Sequence, residues 1–226
     1  MRRFWKEAAA TPEGGVTLDG RPVRTPARAE LIAPTAALAE AIAGEWNAAG
    51  ETVDPRAMPL TGFANAATDR IAPDPHAFAA PLAAYAEADV IAYRADDPPA
   101  LVAAEAAAWD PWVEWARRRL DIGMVVTSGV VHAPQPPGTA ARVAAMLEAL
   151  GPFKLAAADP LVRITGSAVL ALAVLLGDLD ADGAFDAGHA DELWQVSQWG
   201  EDAEAERARE ARRTALRDAA RFLSLL

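Results

Sequence analysis

Apolar residues change their spacing along this chain, and the spacing predicts its elements. Near the N-terminus they come in short runs. Gly15-Val16-Thr17-Leu18 and Arg21-Pro22-Val23-Arg24 flank Asp19-Gly20, a pair suited to the positive φ angles of a tight hairpin turn. Pro22 assigns the second strand to a sheet edge, where a missing N–H is tolerated. Glu30-Leu31-Ile32 reads as one more short strand. The interval then becomes four: Leu38, Ile42 and Trp46 lay an apolar stripe on a helix capped by Thr35 and stopped at Gly50. The stripe places Trp46 in the core. Leu60, Phe63, Ala64, Ala67 and Ile71 predict a second helix that breaks at Pro73. Asp74-Pro75 opens a third, with Phe78, Leu82 and Tyr85 on one face. Asp89 to Arg94 has the look of a returning strand.

Asp96-Asp97-Pro98-Pro99 blocks helix continuation and divides the pattern. Residues 1–97 are expected to form a small α+β domain with antiparallel strands, and residues 98–226 a mostly α-helical C-terminal domain. The fold class is therefore α+β. In the second part, Asp110-Pro111 predicts a helix start, with Trp109, Trp112 and Trp115 close by. Gly123 to His132 fits either a strand or an irregular loop, and Pro134-Gln135-Pro136-Pro137-Gly138 is a loop. Helices are expected at Thr139–Leu150, Pro160–Leu176, Asp182–Gln198 and Glu201–Leu225. No internal repeat is visible.

Composition narrows the function classes. A formal charge of -11 opposes the phosphate neutralisation on which nucleic-acid binding depends. The chain has no cysteine, which removes disulfides, thiolate nucleophiles and most structural zinc sites. The N-terminus, Met1 to Glu7, carries charge with no apolar run behind it, unlike a signal peptide. Ala168 to Leu176 is the most apolar stretch and falls far short of the ~20 residues that span a bilayer. A soluble monomer without nucleic-acid or membrane partners is expected.

Catalytic constellations are weak. His76, His132 and His189 lie far apart, and Ser167 in Thr165-Gly166-Ser167-Ala168 lacks the Gly-x-Ser-x-Gly pattern of a hydrolase elbow. Gly14-Gly15 is not followed by the Lys-Ser/Thr of a phosphate loop. Asp178, Asp180 and Asp182 before Gly183 reproduce the opening of a calcium-binding EF-hand loop, but His189 stands where the closing bidentate glutamate belongs. An acidic helix cap explains the run as well. Trp199 stands at a helix break in Gln198-Trp199-Gly200-Glu201-Asp202, beside carboxylates that suit the positive end of the next helix. Capping and an aromatic-anchored acidic docking patch both account for it.

Several segments, taken in order, resemble one family: the assembly chaperones of the ATP synthase catalytic head that act on its α subunit. They are Arg3-Phe4-Trp5-Lys6, the string Leu18-Asp19-Gly20-Arg21-Pro22-Val23-Arg24-Thr25-Pro26, Glu45-Trp46, and Asp54-Pro55-Arg56-Ala57-Met58-Pro59-Leu60-Thr61. Tyr93-Arg94, Trp109-Asp110-Pro111 and Gly166-Ser167 follow, then Asp191-Glu192-Leu193-Trp194-Gln195 through Trp199-Gly200. The resemblance implies a non-enzymatic protein without cofactor or metal. Such a protein holds the unassembled α subunit and shields surface that later packs against β. It also implies that Glu192 is the residue to expect in partner binding, with Asp191 as a possible substitute and with Trp199 and Glu201 beside it. No presequence-like segment precedes Phe4-Trp5, so cytoplasmic action is expected. Glu192→Lys would then weaken partner binding with the melting temperature nearly unchanged.

Two other classes fit the sequence. A small-molecule enzyme would need two carboxylates paired in a pocket with one pKa raised. A calcium-responsive binding module would use the Asp178 to Asp182 loop and be stabilised by the metal.

Overall fold

The computed structural model describes residues 2–129 and 131–226. The chain forms two compact units. One comprises Met1–Phe78, Leu150–Ala157 and Asp218–Leu226; the other comprises Ala79–Ala149 and Ala158–Arg217. The units part at these positions rather than at Asp97–Pro98. There, Pro98 takes the N-cap position of a helix and Pro99 begins it, in the first turn, where an N–H would have no intrahelical partner.

The first unit holds a three-stranded antiparallel sheet of β1 (Ala8–Ala10), β2 (Val16–Leu18) and β3 (Arg21–Pro22), in that order. The β2–β3 turn has Asp19 at φ 48° and Gly20 at φ 80°, the two left-handed residues a type I′ hairpin requires. Asp19 also accepts from the backbone N–H groups of Lys6 and Glu7, and those bonds hold its carboxyl below the usual range. β3 is an edge strand, as Pro22 demands. Glu30-Leu31-Ile32 contributes only single bridges, Arg24–Glu30 and Gly15–Ile32, although Leu31 is fully buried.

Helix α1 (Ala36–Ala48) starts at Thr35, whose hydroxyl accepts from Leu38 N at 3.1 Å. Leu38 and Ile42 are fully buried. Trp46 is only partly buried and meets Trp5 edge-on, centroids 5.1 Å apart. Trp5 is the ring that occupies the core. Glu45 accepts from Leu60 N and Thr61 N, both at 2.8 Å, and so caps α2 (Pro59–Ala66). A π turn continues α2 to Ile71. Asp74 then accepts from Ala77 N to open α3 (Pro75–Ala83).

In the second unit, the strand expected from Asp89 is a 3-10 turn, Val90–Ala92, followed by the two residues of β4 (Tyr93–Arg94). β4 pairs in parallel with β5 (Thr127–Ser128), which lies in the ambiguous stretch from Gly123 to His132; Val130 there is outside the described residues. Helix α4 (Pro99–Trp115) runs straight through Asp110-Pro111. Asp110 does not cap; it takes the Arg94 guanidinium at 2.8 Å. After α5 (Thr139–Ala149), the expected Pro160–Leu176 helix is two. α6 (Gly151–Thr165) contains Pro160, and α7 (Ala168–Leu175) begins after Gly166, at φ 67°. Ser167 caps α7, accepting from Leu170 N at 3.0 Å. Every residue of α7 is buried, the signature of a helix apolar on all sides. The Asp182–Gln198 pattern likewise divides at His189 into α8 (Ala181–Gly188) and α9 (Ala190–Trp199), and α10 (Ala203–Ser224) closes the chain. A small antiparallel sheet followed by many helices makes this an α+β protein.

Candidate functional site

The helix break at Gly200 is where the predicted site residues gather. Gly200 has φ 87° and ψ -179°, a region open almost only to glycine, so the chain turns sharply between α9 and α10. Trp199, the last residue of α9, is 75% exposed. Its only ring partner among the described residues is Trp194, edge-on at 5.9 Å. An indole this exposed contributes little to folding through burial.

Carboxylates on both sides of the corner converge on one buried cation. The Arg209 side chain on α10 is 8% exposed; its Nη1 donates to Glu192 at 3.3 Å, and its Nη2 donates to Glu201. Arg212, one turn further, donates from Nη2 to both Glu192 oxygens at 3.1 Å. Glu192 is thus shared by two guanidiniums. Two guanidiniums and two carboxylates balance here; removal of either carboxylate leaves one positive charge of the cluster uncompensated. Asp191 is placed differently, its Oδ1 accepting from the N–H of Glu192 at 2.7 Å in the first turn of α9. The structure therefore brings Glu192, Glu201 and Trp199 to one corner, with Asp191 at its base.

Three members of this cluster were not singled out for the site: Arg209, Arg212 and His189. The arginines lie 17 and 20 residues from Glu192, a separation that no local spacing rule covers. His189 is 5% exposed and stacks on Phe185, centroids 4.1 Å apart. Its Nδ1 lies 2.9 Å from Phe185 O and its Nε2 lies 3.2 Å from Arg212 Nη1.

The EF-hand-like run resolves into structural contacts. Asp180 caps α8 through Gly183 N at 2.7 Å. Asp182 is held by Arg213 and Arg217, both at 2.9 Å, and these bonds lower its pKa. Asp178 accepts from the Trp115 indole at 3.2 Å and faces Arg119. Asp178 and Asp182 face different cations and Asp180 faces a backbone N–H, and no metal-holding cluster occurs among the described residues. One open cavity of about 550 Å³ in the first unit is lined by Glu45 and Asp218 with Arg56 and Arg221. Burial raises the Asp218 pKa, against the pull of Arg221. Glu45, however, already accepts three hydrogen bonds from Leu60 and Thr61, which leaves it poorly placed as a free base.

Residues 2–117 match the family described as ATP12 chaperone protein. The chain belongs to the ATP12 chaperone family. The fold agrees along the whole chain. Atp12 of Paracoccus denitrificans is 44% identical with a TM-score of 0.92, over 99% of this chain and 97% of that one, and a point mutant of the same protein superposes equally well. A protein of Agrobacterium tumefaciens is 40% identical with a TM-score of 0.90, over 99% of this chain and 85% of its own. ATP12 proteins are assembly chaperones of the F1-ATPase. No helix among the described residues is long and apolar enough to cross a membrane.

Proposed function

We propose that the protein binds the unassembled α subunit of the ATP synthase catalytic head and covers the surface that later packs against β. An exposed subunit interface is an apolar, aggregation-prone patch until it is buried, and a temporary cover prevents its loss. The protein acts as a monomer in the cytoplasm and performs no chemistry of its own. Its docking residues are Trp199, Glu192, Glu201 and Asp191. The observation that carries this reading is Trp199. It is a large aromatic, 75% exposed, at a corner whose two flanks are pinned to the same buried arginine. Exposed aromatics on rigid supports make effective binding anchors because little side-chain freedom remains to be lost on docking.

Co-expression with each head subunit alone tests the reading. Tagged chaperone is expected to retain soluble α subunit and to leave β in the flow-through. Retention of neither subunit, or of both equally, would refute it.

A further inference from the structure

The hydrogen bonds around His189 fix its protonation state. Phe185 O can only accept, so Nδ1 carries the proton. The Arg212 guanidinium can only donate, so Nε2 must present its lone pair. The ring is therefore a neutral imidazole wedged between a carbonyl and a cation. The charged groups around it are Arg212 on α10 and Asp191 and Glu192 on α9. Arg213 lies 4.4 Å from the centroid of the Phe185 ring on which His189 stacks, and is itself held by Asp182 and Asp186.

Arg212 joins His189 to the corner. Its Nη1 faces the imidazole, and its Nη2 grips both oxygens of Glu192. Glu192 shares Arg209 with Glu201, and Trp199 lies between those two carboxylates in the chain. We infer that neutral His189 is a positioning residue: it holds Arg212 against Glu192 and so sets the Trp199 corner for a protein client. The client half of this inference rests on the corner being the docking surface, as proposed above.

Protonation would reverse the arrangement. A proton on Nε2 sets an N–H against the Arg212 N–H and adds charge beside a guanidinium, so one of the two must turn away. Burial chiefly, with the Arg212 charge, holds the His189 pKa below its usual value, outweighing the Phe185 carbonyl bond and the Glu192 and Asp191 charges. The folded protein thus keeps His189 neutral at pH 7. The stabilisation it contributes is present above the unfolded pKa of about 6.5 and is lost as pH falls through the lower folded value.

His189→Gln supplies a non-titrating mimic, with an amide donor for Phe185 O and an amide oxygen for Arg212. The measurement follows the Trp199 indole ¹H–¹⁵N resonance from pH 7.5 to 5, alongside capture of α subunit. In the unmodified protein the resonance is expected to move with the midpoint of the His189 ring signal, and capture to fall roughly 5- to 10-fold. Both should stay constant in His189→Gln. Every other titrating group, the client's included, is common to the two proteins and cannot produce the difference. A Trp199 resonance that ignores His189 titration, or moves equally in both proteins, overturns the positioning role. A resonance that tracks His189 while capture does not differ between the two proteins leaves the positioning intact and overturns the docking role of the corner. If the Gln variant fails to fold, Arg212→Met decides: it should raise the His189 midpoint and show at pH 7.5 the Trp199 position of the acid form. An unchanged midpoint overturns the coupling.

Discussion

Asp89 accepts a hydrogen bond from the backbone N–H of Val169 at 3.2 Å, across 80 residues of chain. Its other oxygen accepts from Ile91 N at 3.3 Å, so one fully buried carboxylate caps both the turn before β4 and the start of α7. Burial raises its pKa to about 6, against the opposing hydrogen bonds from Ser167, Val169, Ile91 and Ala168. Because the folded pKa lies above the unfolded one, the folded state holds the proton more tightly, and the Asp89 contribution to stability declines as pH rises from about 4 to 6. Asp89→Asn has no such titration. It also turns an amide N–H₂ toward one backbone donor, a mismatch that costs about 1–3 kcal/mol. Urea denaturation at several pH values should show the variant less stable at low pH, with the gap to the unmodified protein narrowing toward pH 7. A gap independent of pH would mean that Asp89 does not titrate in this range.

Glu192→Lys should act on folding as well as on binding. The substitution replaces the carboxylate shared by Arg209 and Arg212 with a third cation. Arg209 is buried and keeps only Glu201, while Glu192 is one-third exposed and partly screened, so a loss of about 1–3 kcal/mol is expected. This departs from the nearly unchanged melting temperature that a purely docking glutamate implies. Glu192→Gln, which keeps an oxygen for one guanidinium, should lose less. Equal melting temperatures for the unmodified protein and Glu192→Lys would show that the clamp contributes little to stability.

Features set by neighbouring residues were legible in the sequence. Thr35 caps α1 and Asp19-Gly20 turns the hairpin because each depends on side chain and backbone within a few positions. Features decided by distant partners were not. Asp110-Pro111 has the form of a helix start, yet Asp110 is taken by Arg94 and α4 continues. The break at Gly166-Ser167 was hidden because α7 is apolar on every side and carries no helical phase to interrupt. The same limit applies at the corner. The family resemblance pointed to Glu192, but Arg209 and Arg212 become its partners, and His189 the partner of Arg212, only when α10 lies beside α9.

Gly188 ends α8 against Thr165, and its size is set by that contact. A Cβ there would lie 2.8 Å from Thr165 Cα and 2.9 Å from both its Cβ and its carbonyl oxygen. Two of those atoms are backbone and cannot swing aside. Gly188→Ala should destabilise the protein by about 1–3 kcal/mol, the usual cost of overpacking. Gly183 offers the comparison: a Cβ there would meet the flexible Leu179 Cδ1 at 2.8 Å, so Gly183→Ala should cost less. If the two variants melt together, the α8–Thr165 contact is looser than its geometry indicates.

Trp199→Ala separates docking from folding most cleanly. The indole is 75% exposed and its one ring partner among the described residues is Trp194, edge-on, so its removal takes little apolar area out of the folded protein. Stability should change by less than about 1 kcal/mol. If the side chain anchors the client, truncation should cost at least about 2 kcal/mol of binding, or roughly thirtyfold in affinity. Titration of α subunit against the variant, with a melting curve on the same sample, reads both quantities. Capture lost at unchanged stability supports the corner as the docking site. Capture retained would place the docking surface elsewhere on the protein, with Trp199 left as an exposed helix-end residue.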